Sequence, residues 1–237
     1  PPPPPSHPAP PPPHNTTMVS SSAASDVYKR QELGRHPIRL EAVPLQDRVR
    51  QAVQSFEVRS REKGIALVSE IPEGLPPVLA DPDRLTEILF NLLDNAIKFT
   101  RDGTIRVLAE QRPGLEQAEE APVRGDLEGQ DDDRPQFLYV PSGANPVGCV
   151  VLVVEDTGLG IPDEELPRVT ERFFQGESKT QDREKGSGLG LAIVKHLVKL
   201  MGGQLSIQSR ESRGTTVKVM LPVATEEDGS ADEGEES

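Results

Sequence analysis

The sequence has little of what several familiar classes of protein need. Its 237 residues include one cysteine, no tryptophan and only 3% aromatic residues. A single cysteine excludes a disulfide framework and a cysteine-based zinc site, and it suits a reducing compartment. Cys149 begins an apolar run, where a small buried side chain is the expected role. These features favour a cytoplasmic protein.

Positive charge and long apolar runs are also scarce. The formal net charge is −13 and no basic stripe could bind a phosphate backbone, so we expect no nucleic-acid partner. The apolar run Cys149–Val154 has the length of a strand, not of a membrane span. The proline-rich start lacks the basic-then-apolar pattern of a signal peptide. We expect no membrane contact by this piece, and whether a longer parent protein is membrane-anchored stays open.

The two ends of the chain differ in composition from its middle. Residues Pro1–Pro13 are nearly all proline, which favours polyproline II structure or disorder. The stretch Val19–Gln31 resembles translated sequencing adapter, which predicts that the first thirty or so residues are not native. Residues 224–237 are acidic or small and predict a solvated tail. We therefore predict a disordered segment 1–36, one folded domain at 37–223 and a disordered tail.

The middle of the chain alternates between helical and strand patterns. Apolar spacing predicts helices from Leu45 to about Gly64, from Asp81 to about Thr100 and at Leu189–Met201. Strands are predicted at Ile65–Ile71, Thr104–Glu110, Val150–Glu155, Gln204–Gln208 and Thr215–Leu221. The long acidic stretch 111–148 predicts a surface insertion, in which Gln136–Val140 has the composition of an extra strand.

The second predicted helix carries a narrow polar strip beside its apolar face. Glu87, Asn91, Asn95 and Lys98 lie along the border of that face at helical spacing. One interpretation is an ordinary solvated flank. The other is that amide and carboxylate oxygens coordinate a divalent metal while the ammonium meets phosphate. Asn95 is then the predicted metal ligand, because hard cations prefer oxygen donors.

Two glycine-containing segments follow farther along the chain. In DTGLG, Asp156 can accept a hydrogen bond from an exocyclic amine, and Gly158 and Gly160 let the backbone approach a flat ring. A plain turn explains the same residues equally well. GSGLGLA begins a helix, where free amides and the helix dipole attract anions. Its place near the C-terminus, after a polar stretch and not a strand, counts against a dinucleotide-binding fold.

The polar stretch before that helix predicts a mobile cover for the phosphates. Residues Gln175–Lys185 are long, polar and flanked by glycine, which is typical of a lid. Arg183 and Lys185 are candidate phosphate contacts within it. The alternative, two solvated surface cations, explains them as well.

The order of these segments resembles the boxes of sensor histidine kinases. NLLDNAIKF (Asn91–Phe99) is similar to the N box, DTGLG to the G1 box, RFF (Arg172–Phe174) to the F box and GSGLG (Gly186–Gly190) to the G2 box. The resemblance covers about Leu45–Pro222 and includes a GTT closing strand near Gly214. It points to the catalytic domain of the gyrase–chaperone–kinase–MutL (GHKL) superfamily. It implies a Bergerat-type ATP-binding fold, an α/β sandwich in which a mixed sheet of about five strands is backed by three helices.

The resemblance also implies roles for single residues. Asn95 would hold Mg²⁺, Lys98 would contact phosphate and Asp156 would recognise adenine. Phe173 and Phe174 would anchor one end of the lid, or simply pack in the core. The implied set of ATP-binding residues is completed by Gly158, Gly160, Ile161, Arg183, Lys185, Gly186, Ser187, Gly188, Leu189, Gly190 and Thr216.

Asn91 bears on what the ATP would be used for. The resemblance also extends to relatives that hydrolyse ATP. In these, a glutamate that activates water stands four residues before the metal-binding asparagine. Here that position is Asn91, and a carboxamide cannot act as a general base. We therefore expect ATP to be held for transfer to another group, with little hydrolysis.

The phosphate acceptor of such kinases is missing from the sequence. The family transfers the γ-phosphoryl group to a histidine in a helical hairpin, and none of the four histidines fits that motif. His36 is followed by Pro-Ile-Arg, and His196 lies on the helix after the glycine cluster. Residues Pro37–Pro44 resemble the tail of the hairpin region. We therefore expect a fragment that is inactive alone, monomeric, and dependent on a separate hairpin and a response regulator as partners.

Two other functions share the same predicted pocket. One is a nucleotide-binding regulatory module of the same superfamily without phosphotransfer. The other is a serine kinase of the anti-sigma type. The acidic insertion and the missing acceptor histidine slightly favour the first of these.

Overall fold

The computed structural model describes residues 38–112, 136–139, 148–176 and 187–225. The chain divides into two compact units, Pro1–Pro37 and Ile38–Ser237, and every described residue belongs to the second. The predicted N-terminal segment 1–36, most of the insertion and most of the tail lie outside the described residues. The domain boundaries therefore stay a prediction.

Three helices form where the apolar spacing predicts them. They are α1 (Leu45–Glu62), α2 (Pro82–Phe99) and α3 (Gly190–Leu200). Asp81 caps α2, because its Oδ1 accepts the backbone N–H groups of Asp83 and Arg84, each at 3.0 Å. Pro82 occupies the first turn, where a missing N–H costs nothing. Among the helices described, none has both the length and the hydropathy that crossing a membrane requires.

The strands form one mixed sheet and one small antiparallel pair. They are β1 (Glu41–Val43), β2 (Ile65–Glu70), β3 (Val78–Ala80), β4 (Gly103–Arg112), β5 (Gln136–Tyr139), β6 (Cys149–Asp156), β7 (Gln204–Arg210) and β8 (Gly214–Pro222). The sheet order is β2-β4-β6-β8-β7-β5, with β2 and β4 parallel and the other neighbours antiparallel. The predicted α/β fold is confirmed, and β5 adds a sixth strand at one edge. The pair β1–β3 was not predicted, because strands of three residues carry no clear alternation.

All three helices cover the same face of the sheet. Alternate residues of the central strands point into this layer and are fully buried, as on β6, where Val150, Leu152 and Val154 face the helices. Helix α2 lies between α1 and α3 and also contacts β6. Its buried stripe consists of Leu85, Ile88, Leu89, Leu92, Leu93, Ala96 and Ile97. This packing fixes the C-terminal half of α2 next to the end of β6 and the start of α3.

Candidate functional site

The start of α3 packs directly against the polar strip of α2. A Cβ atom at Gly190 would lie 3.1 Å from Nδ2 of Asn95 and 3.4 Å from Oδ1 of Asn91. A side chain there would have to displace the carboxamide of Asn95. Two segments separated by almost one hundred residues thus meet at a helix N-terminus, where backbone amides and the helix dipole favour an anion.

The polar strip on α2 is half-buried and oriented by local hydrogen bonds. Asn91 Nδ2 donates to the carbonyl of Glu87 at 2.7 Å, which fixes the carboxamide so that its Oδ1 is the atom near Gly190. Lys98, one turn beyond Asn95, holds its ammonium 5.2 Å from the centroid of the exposed Phe99 ring. The strip therefore combines carboxamides and a cation on one flank of α2, and we call the junction of this flank with the start of α3 the groove.

The donors in this groove fit a magnesium ion accompanied by phosphates. Within residues 38–112, 148–176 and 187–225, no group of three His, Cys, Asp or Glu side chains is arranged to hold a metal. Magnesium does not need such a cage, because it keeps several waters and takes one or two protein oxygens together with phosphate oxygens. The carboxamide oxygen of Asn95 is a hard donor of that kind.

Asp156 ends β6 as a buried carboxylate. Its side chain is 9% exposed and accepts backbone N–H groups from Gly158, at 2.8 Å, and from Thr215. Burial nevertheless raises the pKa of Asp156 to about 6, because desolvation penalises the charged form more than the two bonds favour it. A carboxylate can accept more than two hydrogen bonds. Asp156 thus retains capacity for a donor group on a ligand.

The loop after Asp156 is packed between α2 and β7. Leu159 N donates to the carbonyl of Phe99 at 3.0 Å, which links this loop to the end of α2. A Cβ at Gly158 would lie 2.5 Å from that carbonyl, and one at Gly160 would overlap the carbonyl of Arg210. The neighbours of these glycines are therefore protein backbone, and close packing within the chain explains them.

The closing strand contributes a different threonine from the one predicted. The register pairs Asp156 with Thr215 and Glu155 with Thr216. Because side chains alternate, Thr215 shares the helix-covered face with Asp156, and Thr216 points to the opposite face. Thr216 is 6% exposed, and its hydroxyl has no partner among the described atoms. The structure thus does not bring Thr216 to the site; it brings Thr215, which sequence reasoning missed because the register was unknown.

Two phenylalanines stand where the predicted lid begins. Phe173 is 52% exposed and has a φ of 65°, a backbone conformation that residues other than glycine rarely adopt. Its N–H donates to the carbonyl of Gly188 at 2.9 Å. The Phe174 ring lies 4.6 Å from the guanidinium of Arg168. The F-box and G2-box segments therefore meet.

Several predicted ATP-binding residues lie outside the described residues or leave only backbone groups for a ligand. Arg183, Lys185 and Gly186 lie outside the described residues. Ser187 is exposed, whereas the side chain of Leu189 is buried immediately before α3. Only backbone groups of Leu189 are thus left to face a ligand. Ile161 is held beside the Asp156 loop by a hydrogen bond from its N–H to Ser209 Oγ at 2.9 Å.

Known proteins similar to this chain point to one family. The model of the histidine kinase-, DNA gyrase B- and HSP90-like ATPase family matches residues 80–225. The chain is 34% identical over 201 residues to the autoinducer 2 sensor kinase/phosphatase LuxQ of Vibrio parahaemolyticus, covering 84% of this chain and 20% of that protein. It is also 34% identical over 202 residues to histidine kinase 5 of Arabidopsis thaliana, covering 84% and 21%.

A solved structure agrees with these relatives. Full-length ShkA in complex with AMPPNP matches with a TM-score of 0.61 and 28% identity, covering 86% of this chain and 36% of that one. The present chain spans about a fifth of the length of the curated relatives it matches. Family match, relatives and fold agree with the geometry of the groove, and the chain belongs to the family of histidine kinase-, DNA gyrase B- and HSP90-like ATPases.

Proposed function

We propose that this chain is the ATP-binding catalytic domain of a sensor histidine kinase. In this proposal it holds Mg-ATP so that the γ-phosphoryl group can pass to a histidine outside the chain. The observation that carries the proposal is the contact of Gly190, at the start of α3, with Asn91 and Asn95 of α2. The bond from Leu159 N to Phe99 O joins this groove to the Asp156 loop, so one elongated ligand can reach both.

The adenine end of the proposed site is Asp156. Its buried carboxylate would accept a hydrogen bond from the exocyclic amine of adenine, and Gly158, Gly160 and Ile161 shape the loop beside it. A bond from a ligand amine stabilises the charged form, so ATP binding would lower the pKa of Asp156 below its raised value of about 6. Binding below about pH 6 would therefore release a proton and be weaker.

The phosphate end is the groove between α2 and α3. The amides at the start of α3 and the ammonium of Lys98 would neutralise the phosphate oxygens. We include Ser187 and Gly188 here, and, on sequence grounds alone, Arg183, Lys185 and Gly186. Magnesium held by Asn95 would supply further charge neutralisation between the phosphates. Positioning and charge neutralisation are the main contributions that a protein makes to phosphoryl transfer.

The side chains around the groove favour transfer over hydrolysis. Asn91 cannot remove a proton from water. Two carboxylates on the same helix, Glu87 and Asp94, are each paired with an arginine, Arg84 and Arg59 respectively. No described side chain therefore stands ready in the strip as a general base, which supports a role for ATP as phosphoryl donor.

The family match supports a kinase acceptor and a response regulator as the partners in this proposal. The proposed acceptor is a histidine in a dimerisation hairpin on another segment or chain, and a response regulator receives the phosphoryl group next. We propose that the chain alone is a monomer that acts in the cytoplasm and has negligible self-phosphorylation. Mixing it with a cognate hairpin would label the hairpin with radioactive γ-phosphate.

Calorimetry with Mg-ATP and Mg-ADP tests the binding half of the proposal. Asp156→Asn and Asn95→Asp should each weaken binding about tenfold or more. The first replaces a carboxylate acceptor by a carboxamide, and the second places a negative charge beside the phosphates. Asp163→Asn and Gln54→Glu make the same changes of charge at exposed positions and should leave affinity unchanged. Site variants that bind like wild type would refute the site. A chain that binds ATP but never labels a hairpin would be the regulatory module instead.

A further inference from the structure

Ser209 is a fully buried hydroxyl behind the Asp156 loop. It lies near the end of β7 with 0% exposure. Its Oγ lies 2.9 Å from three groups: the N–H of Ile161, the carbonyl of Gly214 and the Oγ1 of Thr215. The first of these belongs to the loop after Asp156, and the other two belong to β8. Ser209 therefore connects the loop after Asp156 to β8, the two segments that border the adenine end.

The strand register aligns Ser209 with Asp156. Ser209 pairs with Thr215 across β7 and β8, and Thr215 pairs with Asp156 across β8 and β6. The three side chains form one cross-strand row on the helix-covered face. The next row on that face consists of Ile207, Val217 and Val154 and is apolar. The polar row thus marks the point where the core gives way to the site.

The hydrogen count of this row fixes the direction of its bonds. A serine hydroxyl has one proton and two lone pairs. Ile161 N–H takes one lone pair, and the proton goes to the carbonyl of Gly214. The remaining lone pair can only accept, so Thr215 must donate its hydroxyl proton to Ser209. This arrangement satisfies all four groups, as expected of buried polar atoms.

The direction of the bond determines what Thr215 offers to a ligand. Because its proton is directed at Ser209, the Thr215 oxygen keeps only lone pairs for other partners. It stands next to the Asp156 carboxylate, which is also an acceptor. Two neighbouring acceptors suit an amine and repel a carbonyl. Adenine carries an amine at the ring position where guanine and hypoxanthine carry a carbonyl oxygen.

We propose that Ser209 is a positioning residue for base specificity, because it holds the Thr215 hydroxyl as an acceptor beside Asp156. The inference rests on the proposed nucleotide function and adds a residue that does not touch the ligand. Without Ser209 the Thr215 proton is released. It can then turn to Asp156 or to a ligand carbonyl, and the distinction between amine and carbonyl weakens.

The test compares ATP with ITP, in which a carbonyl oxygen replaces the amine and the neighbouring ring nitrogen carries a proton. Competition calorimetry on the full chain gives the ratio of the two affinities, and this ratio does not depend on the folded fraction. Ser209→Ala should lower the ATP-to-ITP ratio about fivefold relative to wild type, the effect of one neutral hydrogen bond. The midpoint of the pH dependence of ATP binding should also move to lower pH, because the released hydroxyl can donate to Asp156.

A matched serine separates specificity from stability. Ser60 on α1 is 2% exposed and donates to the carbonyl of Ile65 at 2.6 Å. Ser60→Ala should destabilise the fold similarly but keep the wild-type ratio and pH midpoint. In a Thr215→Val background, Ser209→Ala should change the ratio less than about twofold, because Ser209 acts through that hydroxyl.

The possible outcomes distinguish a failure of this inference from a failure of the proposed nucleotide-binding function. If wild type binds neither nucleotide, the proposed function is wrong and the inference falls with it. If wild type prefers ATP and Ser209→Ala keeps its ratio, only the role of Ser209 is wrong. Should Ser209→Ala fail to fold, Ser209→Cys provides a weaker hydrogen-bonding group. A ratio lowered in the same direction supports the inference, and an unchanged ratio overturns it.

Discussion

The two ends of the proposed site are formed by different kinds of secondary structure. The phosphate end consists of half-buried side chains on α2 and backbone amides of α3, so its parts lie on helix surfaces. The adenine end consists of a cross-strand row, the buried Ser209 and Asp156 with the half-buried Thr215 between them, hydrogen-bonded to a tightly packed loop. The helical end can adjust, because its side chains border a groove. The strand end is rigid, and changes there should affect stability as well as binding.

The largest predicted effect on stability is at Gly160 in the rigid end. Its φ is +66°, and a Cβ would overlap the carbonyl of Arg210. Gly160→Ala should therefore lower the free energy of unfolding by about 3 kcal/mol, measured by urea denaturation. Gly202 has a φ of +67°, and a methyl added there would meet nothing within 4 Å. Gly202→Ala therefore isolates the backbone cost, about 1 kcal/mol. Equal losses would mean that the Gly160 loop is not tightly packed.

A smaller effect of opposite sign is predicted at Asp156. Its folded pKa of about 6 lies above the ordinary value of 3.8, so the folded state binds the proton more tightly than the unfolded state. Ionisation therefore penalises the fold, fully above about pH 6 and not at all below about pH 4. Asp156→Asn should stabilise the chain by about 2–3 kcal/mol at about pH 7.5.

The pH dependence provides the control for Asp156→Asn. The gain in unfolding free energy should shrink as the pH falls and vanish near pH 4, because the wild-type carboxyl is then neutral as well. The same variant should lose nucleotide affinity. A gain that does not depend on pH, or no gain at all, would contradict the raised pKa.

At the adjustable end, Gly190→Ala should affect binding more than folding. The added methyl would meet the carboxamide of Asn95 at 3.1 Å, and a side-chain end can move away. Mg-ADP affinity should fall about fivefold, because the displaced carboxamide no longer coordinates the metal. The free energy of unfolding should change by less than about 0.5 kcal/mol. A larger loss of stability than of affinity would show that this end is as rigid as the other.

The smallest predicted effect on nucleotide affinity is at Thr216. Its buried hydroxyl lacks a partner among the described atoms, on the face opposite Asp156. Thr216→Val removes that unsatisfied group at nearly constant shape and should raise the free energy of unfolding by about 1 kcal/mol. Mg-ADP affinity should stay within about twofold of wild type. A clear loss of affinity would show that Thr216 does contribute to the nucleotide site.

The contrast between the two ends also explains what the sequence could predict. Helical periodicity placed Asn91, Asn95 and Lys98 on one strip, because position along a helix fixes the face. In a strand, a shift of one residue exchanges the faces, so Thr215 and Thr216 could not be distinguished without the register. Tertiary pairing created β1 and β3, and their three-residue lengths carry no signal.

Contacts between distant segments were beyond sequence reasoning from residues alone. The glycines of DTGLG predicted room for a ligand ring, whereas Gly158 and Gly160 lie against the backbone of Phe99 and Arg210. Gly190 and Asn95 were assigned to one site only through the resemblance to a family, and their contact was not predicted. Ser209 has no motif that would single it out, because its role depends on three partners from separate parts of the chain.

Amide chemical shifts during a Mg-ADP titration test the central claim most directly. If one nucleotide spans both ends, the backbone amides of Gly158 and Gly190 in a ¹⁵N-labelled chain should shift together, with the same Kd. Shifts at only one of these glycines, or shifts with clearly different Kd values, would contradict a single site.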